Sequence, residues 1–419
     1  MNKKYWLRLS LALFSLMALV LPWQTKLIVQ PAAGNYWEIA IYAGSVLIWL
    51  SLLTLIPSGA VNIDIFKKQP FFWRWATVIL LGVSFISAVL SENKFLAIYL
   101  WLLLFSAFVM FYFLISLEKK WKRRLLQIFL FSLAIQAVIG LVQFTTQTSF
   151  ASTLLGMAYH NAGDLGATVI ETANGRWLRA YGASGHPNVF GGMMAVGALG
   201  SLLFLTISEK RRERIYFVSI YLLFLAATLV SFSRAAILAL LTGLVVFAFQ
   251  YRSNFRSAPR RTVSVIILSL LVGGLIFFFY QPLFIARTQI SNRLETISID
   301  ERQVYDYRGW QNFKQHPILG TGLGLSTWLD YSHSGSAAAK AAVWNFQPAH
   351  NYWLLAAAEG GIIFVACLAA IWAYAYQKSR QRRLLPIFAV LFILTLFDHW
   401  LFSLPLSSAF ALFIFALMW

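Results

Sequence analysis

Long apolar runs separated by short polar breaks set the pattern of this chain. An α-helix needs about 20 apolar residues to cross a bilayer, with a range of roughly 17 to 25. Runs of about that length fall at 9–29, 37–56, 73–90, 96–117, 125–144, 189–207, 215–230, 235–250, 263–280, 351–376, 384–402 and 406–419. They predict an all-α integral membrane protein of about twelve transmembrane helices, organised as a single polytopic membrane domain over 1–419. The first run has the make-up of a secretory leader but no small-x-small cleavage site, so it is read as a retained span. The last is short for a full crossing, as if the chain were cut or ended inside the bilayer. Two long polar stretches, 145–188 and 281–349, interrupt the series.

Composition agrees with a membrane class: 59% of the 419 residues are hydrophobic, 16% aromatic and only 12% charged, against roughly 25% charged in soluble domains. A net charge of +19 would suggest nucleic acid in a soluble chain. Here the placement of the charges matters more than their sum, and no nucleic-acid partner is expected. Roughly two thirds of the Lys and Arg fall in one set of alternate loops, which makes that set cytoplasmic. Both termini are then cytoplasmic and the two long polar stretches lie outside. Topology and anionic headgroups account for the basic clusters. The single cysteine, Cys367, excludes an intrachain disulfide.

With the cytoplasmic loops short, chemistry is expected on the external face. In the first long loop, Gly185-His186-Pro187-Asn188 stands directly before a span. It fits a turn and helix start, since proline disfavours helix at the preceding residue and Asn caps well; the nearby glycines also let backbone approach a ligand. At a tight external connection, Ser233 suits a helix cap, and Arg234 is either an interfacial anchor or the receiver of an anion such as phosphate. In the second long loop, Ser298-Ile299-Asp300-Glu301 predicts a capping box, opening a helix that His316-Pro317 stops. Tyr305, Tyr307, Trp310 and Phe313 suit that helix to the membrane surface, with Arg308 at headgroup level. Gly320-Thr321-Gly322-Leu323-Gly324 has no strand before it and reads as a turn rather than a nucleotide loop. The stretch 332–342, rich in Ser, Gly and Ala, has the composition of a lid.

The chain re-enters the membrane at His350-Asn351. Helical spacing puts Gly361 about three turns beneath His350 on one face, where a glycine admits a closely packed neighbour. The same spacing turns Glu359 to the opposite side. Glu359 and Asp398 are the two carboxylates expected within spans, either paired structurally or functional.

Arg234-x3-Leu238, and His350-Asn351 followed by nine residues and Gly361, resemble the two short signatures of bacterial O-antigen ligases, within the wider superfamily of O-antigen ligases and polymerases. The resemblance extends to the architecture, with a large external loop just before the histidine helix. Phe364 departs from the Gly, Thr or Tyr often found three residues after the glycine. The Arg-x10-Gly pattern expected of polymerases is missing, since Arg308 is followed by Gly320, one residue too late.

What the resemblance implies is a GT-C-like glycosyltransferase of the Gram-negative inner membrane, with its active site on the periplasmic face. It would transfer O-polysaccharide from undecaprenyl diphosphate to the lipid A-core in lipopolysaccharide maturation. Donor, acceptor and membrane lipids are the implied partners, and no cofactor is implied. Breaking the anomeric bond builds negative charge on diphosphate. With no Asp-x-Asp pair and no evident acidic cage, no metal is expected; Arg234, Arg308 and Arg179 would hold the charge. His350 would take the proton of the attacking hydroxyl in one inverting displacement, or as an imidazolium would help bind diphosphate. His186, Asn188, Asn351, Gly361, Glu359 and Asp398 would support it. An O-antigen polymerase and a protein O-oligosaccharyl ligase are the alternatives within the superfamily. A non-enzymatic lipid or polysaccharide transporter is the one outside it, and would be expected to show an internal repeat and broken helices.

Overall fold

The computed structural model describes residues 3–32, 36–59, 64–289, 293–335 and 343–418. Helices dominate it: α1 (Lys3–Val20), α2 (Ala43–Leu55), α3 (Asp64–Lys68), α4 (Phe71–Leu90), α5 (Lys94–Ser116), α6 (Lys119–Thr146), α7 (Pro187–Ile207), α8 (Arg211–Val230), α9 (Arg234–Gln250), α10 (Arg252–Ser257), α11 (Pro259–Thr288), α12 (Arg293–Gln315), α13 (Ser326–Ser332), α14 (Tyr352–Gln381), α15 (Leu385–Phe397), α16 (Trp400–Ser403) and α17 (Ser407–Met418). Among the described residues seven are long and apolar enough to cross a membrane, namely α4, α5, α6, α7, α8, α11 and α14, and α2, α9, α15 and α17 are shorter apolar helices. Together with α1 they stand where the apolar runs of the sequence do. The protein is a multi-pass helical membrane protein.

Local chemistry explains where the elements depart from the apolar runs. The first helix stops at Val20, two residues before Pro22, because a proline disfavours helix at its predecessor. The chain then forms an antiparallel hairpin, Lys26–Gln30 with Ile39–Tyr42, from segments rich in β-branched residues. That hairpin takes up the start of the second run, so α2 begins only at Ala43. The run 384–402 is interrupted at Asp398, whose extended backbone ends α15. Helix α11 continues to Thr288 through non-helical backbone at Tyr280, just before Pro282, which lacks an amide proton and crowds the preceding turn. Ser298 lies inside α12, which already begins at Arg293, so it does not open the helix; the helix does end before His316-Pro317. Of the expected lid, 336–342 fall outside the described residues.

Helix α7 is the hub. It is buried along nearly its whole length and packs against α6, α8, α9 and α15. Gly191 lets the start of α7 close on the corner between α8 and α9: a Cβ there would stand 2.4 Å from Ser231 Oγ. By contrast none of the spanning window of α11 is buried; only Leu283 and Ala286, near its end, are.

Helix α14 is broken. Gly361 has φ 72 and ψ −177, a conformation open to glycine alone, so the expected continuous face from His350 to Gly361 does not exist. The loop 316–325 fills the break. The carbonyls left open above it accept from Thr321 N (Ala358 O, 2.9 Å) and Gly322 N (Glu359 O, 3.0 Å), and below it Ile362 N donates to Pro317 O at 2.9 Å. Gly320, Gly322 and Gly324 all have positive φ, which bends the loop tightly enough to enter. The glycine-rich run is therefore a turn, and its amide at Gly324 donates to Glu359 Oε2 at 2.6 Å.

Candidate functional site

One end of the bundle gathers polar side chains from distant parts of the chain. His186 is the N-cap of α7: its Nδ1 accepts from Asn188 N at 3.1 Å, so the cap is the histidine rather than the asparagine. That leaves the Asn188 amide free to bridge. Its Oδ1 accepts from Arg179 Nη2 at 2.8 Å, and its Nδ2 donates to Asp398 Oδ2 at 2.9 Å. Arg179, almost fully buried, also donates from Nε to Ser231 O at 2.7 Å. Arg287 Nε grips the next carbonyl, Phe232 O, at 3.2 Å. Two guanidinium groups thus hold the α8–α9 corner, where Phe232 sits at φ 47, a left-handed conformation that neighbours must impose on a bulky residue. Ser233 caps α9 as its sequence predicts, accepting from Ala236 N.

His350 stands just before α14, aimed by three contacts. Its own amide donates to Asp306 Oδ1 on α12 at 2.8 Å. Asn351 is the N-cap, accepting from Trp353 N and Leu354 N at 2.9 and 3.0 Å, while its Nδ2 donates to Leu396 O at the end of α15. The imidazole meets the ring of His399 edge-on at 4.9 Å between centroids and stacks loosely on Tyr305 at 6.2 Å. His399 in turn pairs through Nδ1 with Ser403 Oγ at 2.7 Å, and its amide donates to Asp398 Oδ1. Tyr36 covers its far side, 6.0 Å between ring centres. The Nδ1 of His350 is buried without a hydrogen-bond partner among the described residues.

Electrostatics follow from this crowding. Burial, then the neighbouring His399, pushes the His350 imidazole well below its ordinary range despite the Asp398 carboxylate. Burial, then Arg179, does the same to His186. Both imidazoles are neutral near pH 7; the lone pair of His186 is taken by Asn188 N, whereas Nδ1 of His350 has no partner among the described residues. Asp306 is raised by burial, against the opposing pull of the His350 amide and Arg302.

The arginines divide into engaged and free. Arg234, half exposed, forms an ion pair with Glu295 at 3.2 Å, and Arg287 binds the same carboxylate. Arg308 donates to Asn345 O at 2.8 Å and lies over Phe346. No direct contact joins Arg234 or Arg308 to His350 among the described residues. Arg302, half-buried, has no ion pair or hydrogen bond among them, yet its charge acts on His350, His186, His399, Arg179 and Asp306. Among the described residues it is a cation free to receive an anion here. Sequence patterns gave it no motif, but it lies one helical turn before Asp306, on the same face of α12. His399 was likewise unmarked, although it directly follows an acid at the end of an apolar run.

Glu359 is buried. With Gly324, Thr327, Tyr36 and Ser403 it lines a cavity whose remaining wall includes the apolar Leu100 and Leu104 of α5. Among the described residues one group is spaced as metal ligands are: His350, Asp398 and His399, whose donor atoms lie within 4.8 Å of one another. It mixes two imidazoles with one carboxylate from segments far apart in the chain, which a search for acidic pairs does not find.

The bundle and its centre define a class: a multi-pass helical membrane protein with a buried imidazole and guanidinium centre at one end. Residues 219–369 match the family model described as O-Antigen ligase. The match falls on the segment that carries both signatures, and the resemblance drawn from them is borne out at the level of the superfamily. The matched segment holds Arg234, Arg302, Arg308, His350, Glu359 and Gly361; Arg179, His186, Asn188, Asp398 and His399 lie outside it. No curated protein matches the chain.

Proposed function

We propose that the protein is an O-antigen ligase. It transfers O-polysaccharide from undecaprenyl diphosphate to the lipid A-core at the periplasmic face of the inner membrane, by a metal-independent, inverting displacement. The observation that carries this is a neutral, aimed His350 inside the field of Arg302, with neither its Nδ1 nor the Arg302 guanidinium partnered among the described residues. The imidazole takes the proton of the acceptor hydroxyl; the guanidinium receives the charge that develops on the departing diphosphate. Arg234, exposed beside Glu295, would join it once donor charge competes with the carboxylate. Arg179 acts from behind by fixing Asn188 and the α8–α9 corner. A neutral His350 favours the base over the imidazolium role. The break in α14 is closed by the chain's own loop, which speaks against a transporter whose broken helix would open onto a path.

The test is reconstitution of purified protein with undecaprenyl-diphosphate-linked glycan, in chelator, with and without lipid A-core. Glycan-capped core lipid that forms without metal and is absent for His350→Ala is the expected result. Longer lipid-linked glycan in place of capped core would make the protein a polymerase, and full transfer by His350→Ala would remove the base.

A further inference from the structure

The transfer proposed above uses no metal, but the same residues are arranged as ligands. We propose that His350, Asp398 and His399 form a site for one divalent first-row transition-metal ion, and that its occupancy blocks the centre. The second half rests on the proposed base role of His350.

The donor set supports the first half. Two ring nitrogens and a carboxylate suit zinc and its neighbours, whereas magnesium and calcium prefer oxygen alone. A tetrahedral zinc with bonds of 2.0–2.1 Å needs donors about 3.4 Å apart; here all three lie within 4.8 Å, close enough for small side-chain rotations to complete the shell. The outer contacts are those that metal ligands usually have. Ser403 holds Nδ1 of His399, which leaves Nε2 as its free nitrogen. Asn188 and the His399 amide each occupy one position on the Asp398 oxygens and leave the others open. On His350 the ring nitrogen Nδ1 is buried and has no hydrogen-bond partner among the described residues. Three protein ligands leave a fourth position empty, as at reactive metal sites. Arg302 opposes a cation through its charge, so the site is weaker than a closed structural zinc site. An ion there consumes the lone pair that a general base needs.

Titration of the full chain, purified in detergent and stripped with chelator, with zinc chloride by isothermal calorimetry reads the site directly. One saturable zinc per chain is expected, with magnesium giving none. His399→Gln should weaken it by at least about tenfold, and Ser403→Ala, which removes only an outer contact, by about tenfold. Thermal unfolding without metal establishes that each variant is folded, and Ser403→Ala keeps the question answerable if His399→Gln is not. Zinc binding that is absent, or unchanged in both variants, would overturn the site. Zinc that binds but leaves glycan transfer unimpaired, or inhibition that chelator does not reverse, would overturn the blocking. Binding is measured without glycan, so a chain that binds zinc and transfers nothing would fail the ligase function alone.

Discussion

Replacing Gly361 by alanine should be among the most damaging single changes in the chain. At φ 72 and ψ −177, a side chain alone costs about 1–3 kcal/mol. The added Cβ would also stand 2.1 Å from Ile318 O, 2.4 Å from Ile318 C and 2.7 Å from Leu319 N, and backbone cannot rotate aside as a side chain can. The loop 316–325 must then leave the break, losing the three hydrogen bonds of Pro317, Thr321 and Gly322 with α14, each worth about 1 kcal/mol net. The total is about 4–6 kcal/mol, a large part of the 5–15 kcal/mol that holds a typical protein together. Gly82→Ala is the internal control, since a Cβ there would meet nothing within 4 Å. Thermal unfolding in detergent, followed by tryptophan fluorescence and size exclusion, compares the two. Gly361→Ala should unfold far below the parent and Gly82→Ala close to it. Equal unfolding temperatures for Gly361→Ala and the parent would refute the assignment of Gly361 as the point of the break.

Two further outcomes are expected. Arg302→Ala should abolish transfer, while Arg302→Lys should keep part of it with weaker donor binding, because an ammonium cannot make a two-pronged contact with phosphate; titrating each variant with undecaprenyl diphosphate separates binding from turnover. Stability should fall as pH drops below about 6.5, since an unfolded histidine takes up a proton there while buried His186 and His350 resist it. The native pKa values lie below the unfolded ones, so stability is complete above that range and is lost on the acid side, by up to about 1.4 kcal/mol per pH unit for each histidine. His186→Asn, which keeps a capping oxygen, should flatten the acid limb measured by thermal unfolding across that range.

The spans were legible because twenty apolar residues in a row have few other uses, and the cap at Ser233 and the stop at His316-Pro317 were legible because they depend on neighbours in sequence. The centre was legible only in part. His350 and Arg234 announced themselves through short signatures, whereas Arg302 and His399 acquire meaning only when α12 and the end of α15 are brought against the start of α14. Gly361 was marked correctly as special, but for the wrong reason. Helical arithmetic assumes an unbroken helix, and nothing local to Glu359-Gly360-Gly361 says that a loop some forty residues earlier will occupy the gap. Ser298 failed in the opposite way: a good cap signal was overridden because helix had already begun at Arg293.

The chain of contacts from Ser231 through Arg179 and Asn188 to Asp398 has a consequence for synthesis. The ribosome delivers Arg179, Asn188 and Ser231 long before Asp398 and His399, so the nascent chain carries a guanidinium whose distal anchor has not yet been made. The centre closes only when α15 inserts beside α7. An unfinished polypeptide therefore holds its guanidinium and imidazole groups without the assembled centre.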